Sequence, residues 1–240
     1  MRPVNPSDLD KLQGLKVTLA ADLPSFSVTN SVIVNLASTP GSQANVNQVS
    51  GILMQEFQAN GRPMWSLQVE GNAAIVNCHK YDRWHEVKPK AQRILQAVLE
   101  IVCNEDNRVS TVAVEVVDKF TASDNGYQMA STFNLDAPYL TKRAIDAQAV
   151  WHIHQGWIEP ADDHRVLNIL NMGSGQVDDT INISIHNAVQ WQFLTPVSPR
   201  SGLDPDTINN IFDHLHARNK SVISELLAKE QLIAIGMIES

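Results

Sequence analysis

The stretch VNQVSGILMQEFQANG (Val46–Gly61) decides how the first half of this chain is read. Val46, Val49, Leu53 and Phe57 recur at helical spacing, and Gly61 with Pro63 behind it is a suitable stop. Upstream, SVIVNLAS (Ser31–Ser38) alternates as a strand, and TPGSQAN supplies a break in which Asn45 or Asn47 could cap the helix. Downstream, MWSLQVEGNAAIVNCHKY reads as two strands joined at Glu70-Gly71-Asn72, because Gly and Asn tolerate positive φ in a hairpin turn.

PKAQRILQAVLEIVC carries Ala91, Ile94, Leu95, Val98 and Val102 on one helical stripe, with Pro89 tolerated in the first turn. VSTVAVEVVDKF (Val109–Phe120) then reads as a strand. The resulting order, βαββαβ, with right-handed crossovers, predicts a ferredoxin-like N-terminal half: four antiparallel strands with two helices on one face.

A boundary is expected near TASDNG (121–126). Beyond it, strands follow one another without helices until Asp204, an N-cap with Pro205 behind it. From there Ile208, Ile211, Phe212, Leu215, Val222, Leu226 and Leu227 predict one long helix reaching toward Gly236. The expected α+β organisation is a lead-in over 1–25, a ferredoxin-like domain over 26–122, and an antiparallel sheet covered by one long helix over 127–240.

Composition limits the functional classes. The formal net charge is −8. Residues 1–120 carry eleven basic and twelve acidic side chains, and residues 121–240 carry seven and fourteen. A phosphate backbone is gripped by Lys and Arg, so the acidic half argues against a nucleic-acid surface there. Two cysteines without a CxxC spacing suit a reducing cytoplasm, and neither a signal peptide nor an apolar run of membrane-spanning length is visible. A cytoplasmic protein with no membrane contact is therefore expected.

WHIHQGW (Trp151–Trp157) is the compact constellation. On a strand, Trp151, Ile153, Gln155 and Trp157 point one way and His152, His154 and Gly156 the other. The paired imidazoles could share one metal ion. His-x-His-x4-Glu, ending at Glu159, resembles the first motif of the cupins, β-barrels that hold a metal with two His, a Glu and a later His. His186 would be that later ligand. The cupin glycines around the motif are missing here, and the bland reading is a half-exposed strand with its tryptophans packed inward.

Lys80, Arg83, Lys88, Lys90 and Arg93, beside Tyr81 and Trp84, form a basic cluster that could serve RNA or an acidic partner. Asp82 and Glu86 dilute it, and the neighbouring strands lack the aromatic pair of RNA-binding sheets. His214 and His216 are two apart on a helix, so they diverge by about 200° and cannot share a metal. P-loop, GxSxG, HExxH and GxGxxG patterns are absent.

WSLQVEGNAAIVNCHKYDRW with its following helix and strand, and IFDHLHARNKSVISELLAKEQLIAIG with its Leu215-His216 pair, resemble a sporadically distributed family of uncharacterised bacterial cytosolic proteins of similar length. The resemblance implies a setting in variable, horizontally exchanged gene clusters and supplies no catalytic residues. Three readings follow. The first is a non-enzymatic interaction or regulatory subunit that binds a co-encoded protein or itself, in a defence or toxin-neutralising setting. The second is a metal-dependent, cupin-like enzyme using His152, His154, Glu159 and His186. The third is an RNA-binding or RNA-processing protein using the basic segment.

Overall fold

The computed structural model describes residues 6–34, 45–104, 107–123, 127–147, 149–198 and 203–239. The chain divides into two compact units, residues 1–109 with 197–204, and residues 110–196 with 205–240.

The first unit opens with two short helices, α1 (Pro6–Leu12) and α2 (Leu15–Thr18). Four strands follow, β1 (Ser25–Val34), β2 (Asn45–Phe57), β3 (Pro63–Glu70) and β4 (Ala73–Cys78), and then helix α3 (Trp84–Val102). The sheet order is β1-β2-β3-β4, each neighbouring pair antiparallel, with Ile52 opposite Val69 and Met54 opposite Leu67. This is a meander with its long helix after the last strand, and the βαββαβ order expected for 26–122 is corrected by it.

The difference lies in Val46–Phe57, which is strand β2 and not a helix. Its apolar residues also satisfy a period of two. Ile52 and Met54 are buried, while Val49 and Phe57, two members of the expected helical stripe, are 40% and 47% exposed. Gly51 weakens a helix interior and fits a strand where backbones approach closely. The expected break over 39–44 lies outside the described residues.

The lead-in is built into the fold. Leu12, Leu15, Leu19 and Leu23 are buried, α1 packs on α3 and β2, and α2 packs on α3. Helix α3 starts at Trp84, five residues before Pro89, so the proline stands inside the helix. Ile94, Val98 and Val102 are its buried stripe, as the periodicity requires.

The second unit holds β5 (Val109–Ser123), α4 (Lys142–Ala147), β6 (Trp151–Pro160), β7 (His164–Val177) and β8 (Thr180–Val197). Two helices close it, α5 (Pro205–Leu226) and α6 (Lys229–Ala234). The strand order is β5-β8-β7-β6, so β5, expected as the last strand of the N-terminal half, belongs to the second sheet.

One face of this sheet buries Ile153, Leu170, Met172, Ile181, Ile183 and Ile185 in a cluster with Val222, Ile223 and Leu226 of α5. The expected continuous C-terminal helix stops at Leu226. There, segment 132–134 takes over the backbone: Asn134 N–H donates to the Leu226 carbonyl, and Ala228 N–H donates to the Thr132 carbonyl. Among the described residues, no helix is long and apolar enough to cross a membrane.

Candidate functional site

The second sheet has two chemically different faces, and WHIHQGW contributes to both. Strand β6 alternates as expected: Trp151 and Ile153 are buried, His152 and His154 exposed. Across the strands, His154 stands opposite Asn171 and Asn171 opposite His186, while His152 stands opposite Gly173 and Gly173 opposite Ser184. The three histidines therefore lie on one open face, but His186 is two strands away from the other two.

Each engaged imidazole has a different partner. His152 Nε2 lies 2.7 Å from Asn171 Oδ1, and His186 Nδ1 lies 3.4 Å from a Glu115 carboxylate oxygen. A shallow depression of about 420 Å³ runs over this face, lined by His152, Asn171, Gly173, Ser184 and His186 among others. Gly173 is required there, since a Cβ would lie 2.8 Å from the Trp151 carbonyl oxygen.

Glu159 is not with the histidines. It has the parity of Trp151 and Trp157, which carries it to the helix-covered face. Its Oε1 accepts from Trp157 Nε1 at 3.0 Å, from Asn168 Nδ2 at 3.2 Å and from Arg218 Nη2 on α5. Among the described residues, no group of three or more His, Cys, Asp or Glu is placed to hold a metal ion.

Sequence reasoning missed the network around Glu159. Tyr139 stacks on Trp157 with ring centroids 5.4 Å apart, and its hydroxyl donates to Glu225 Oε2 at 3.1 Å. Burial, followed by that bond to a carboxylate, pushes the Tyr139 hydroxyl up to about 12. Further along the seam, Asn187 Nδ2 donates to the Asn219 carbonyl at 3.4 Å and Asn219 Nδ2 donates to the Val114 carbonyl at 3.2 Å. Asn168, Asn187 and Asn219 are all buried, so a polar line crosses the sheet beneath α5. Spacing could not announce it, because its members come from the 127–141 segment, four strands and a helix.

His214 meets the edge of Trp191 at 5.4 Å, and His164 stacks over the same indole at 3.4 Å. His164 Nδ1 is 2.6 Å from Asp163, whose carboxyl that bond holds below its ordinary range.

In the first unit, two members of the basic cluster, Lys90 and Arg93, are committed to carboxylates. Lys90 Nζ donates to Glu56 at 2.6 Å and lies 5.1 Å from the centre of the Trp65 ring. Arg93 forks onto both oxygens of Asp22, at 3.1 and 2.5 Å, and this bond is the main reason the Asp22 carboxyl lies below its usual range. Arg83 is 3.9 Å from Asp82. Lys80 precedes α3, and Lys88 lies within it. On the opposite face of that sheet, buried Ser66 accepts from Asn77 at 3.2 Å and lies 3.1 Å from His79 Nε2.

Comparison with protein-family models, curated proteins and solved structures finds no match to this chain. The site's own chemistry carries the functional argument.

Proposed function

We propose that this protein is a non-enzymatic interaction module, a partner or regulatory subunit of a bacterial variable gene cluster. The single observation that carries the reading is how the candidate reactive groups are engaged. Glu159 gathers three donors on one oxygen beneath α5, while His152 is held by Asn171 and His186 stands beside Glu115 on the other face. Acid–base chemistry needs such groups to converge on one reacting atom. Here they are divided between the two faces of a sheet.

What the open face offers is recognition chemistry. Asn171 and Asn182 present neutral hydrogen-bonding groups around a shallow depression, a surface suited to another protein. An RNA backbone would need free cations, and Lys90 and Arg93 are paired with Glu56 and Asp22. The bacterial gene-cluster setting, with defence or toxin neutralisation as its context, follows from the resemblance of the chain's two signature stretches.

The test is co-expression with the products of the adjacent genes, followed by size-exclusion chromatography with light scattering. A complex of fixed stoichiometry, or a defined homo-oligomer, weakened by Asn171→Arg or Asn182→Arg, is the expected result. A monomer that joins none of these proteins overturns the reading.

A further inference from the structure

We propose, resting on the interaction reading, that the Tyr139–Trp157 stack receives a basic side chain, lysine or arginine, from the protein partner. The two rings are only partly covered, and their polar tips point to different carboxylates. Trp157 Nε1 donates to Glu159, and Tyr139 Oη donates to Glu225. An aromatic surface is thus flanked by acid at both ends. Ring faces attract cations, and flanking carboxylates strengthen that attraction.

Glu159 and Glu225 only accept hydrogen bonds, and ammonium and guanidinium groups only donate them. Arg218, already bonded to Glu159, offsets one of the two carboxylate charges and leaves the patch with net negative charge. Glu225 is exposed, its oxygens accepting one bond each from Tyr139 and Ser221. The wider field has the same sign, with fourteen acidic against seven basic side chains in residues 121–240. An anionic partner group would meet two carboxylates here.

The experiment follows the Trp157 indole N–H signal by NMR, assigned through Trp157→Phe, at physiological ionic strength. The probes are an oligo-arginine peptide, an oligo-lysine peptide and an oligo-glutamate control. The basic peptides are expected to shift the signal saturably and the control to leave it in place. Glu225→Gln, at an exposed position, should weaken binding about fivefold, the size expected when a partly desolvated cation loses one carboxylate. Tyr139→Leu should weaken it further, whereas Tyr139→Phe, which keeps the ring and frees Glu225, should retain it.

Asp178→Asn with Asp179→Asn, on the β7–β8 turn, should change affinity by less than about twofold, as a contact remote from the probe would. An unmoved indole signal overturns the proposal. Equal weakening by the turn variant and by Glu225→Gln also overturns it, because overall charge alone then accounts for binding. A complex with a co-encoded protein that is indifferent to Glu225→Gln sinks this site while leaving the interaction reading in place.

Discussion

Replacing Gly51 with alanine has opposite consequences in the two readings of residues 46–57. In a helix, Gly→Ala stabilises by about 1 kcal/mol, because alanine has less backbone entropy to lose. In strand β2, an added Cβ would lie 2.0 Å from the Val69 carbonyl oxygen, 2.9 Å from Thr29 Oγ1 and 3.0 Å from Glu70 Cα. Two of these are backbone atoms of β3, so the β2–β3 ladder must open by more than an ångström. Overpacking of this kind costs about 1–3 kcal/mol. Loosening two ladder hydrogen bonds adds about 1 kcal/mol each. A loss of about 3–5 kcal/mol is therefore expected, and at roughly 2–4 °C per kcal/mol for a chain of this size Tm should fall by about 6–20 °C. Thermal and urea unfolding followed by circular dichroism measure it. An unchanged or raised Tm would refute the strand and its register.

Asp22→Asn should destabilise the first unit by about 1 kcal/mol at pH 7, a modest figure because Arg93 is 58% exposed. The Asp22 carboxyl is depressed on folding, so its contribution is present above the ordinary carboxylate range and lost as pH falls through the folded value. The Tm difference between wild type and variant should accordingly shrink and vanish as pH falls below the ordinary carboxylate range. Asp118 has the opposite sign: burial raises its carboxyl, so it destabilises the fold once pH rises through the folded value. Asp118→Asn should raise Tm at pH 7, and an unchanged Tm would count against its burial. Burial pushes the Cys103 thiol up to about 11, and Cys78 is raised less. Ellman's reagent at pH 8 should therefore modify Cys78 first, and equal rates would contradict the burial of Cys103.

Elements whose periodicity has one solution were legible in the sequence. Trp151–Trp157 alternates over a strand as expected, and Ile94, Val98 and Val102 mark α3. The stretch around Gly51 was not legible, because its apolar residues satisfy both 3.6 and 2.0 periods. Only the neighbouring backbone of β3 decides between them. The assignment of β5 to the second sheet was hidden for a related reason: a strand's sequence states its burial but not its partner.

The candidate site divides in the same way. The shared face of His152 and His154 follows from strand parity alone. The position of Glu159, on the other face and gathered by Trp157, Asn168 and Arg218, depends on contacts across as many as 59 residues. The basic cluster likewise reads as free charge until Asp22, 71 residues before Arg93, is seen beside it.

Native mass spectrometry of the untagged protein, co-expressed with the products of its adjacent genes, tests the central claim most directly. One spectrum reads both stoichiometry and bound metal. The account predicts a complex of fixed composition, built on the 26.5 kDa chain and either a co-encoded protein or a second copy, without a stoichiometric metal ion. A monomer of 26.5 kDa carrying one metal ion, lost in His152→Ala/His154→Ala, would contradict it and return the open face of the second sheet to catalysis.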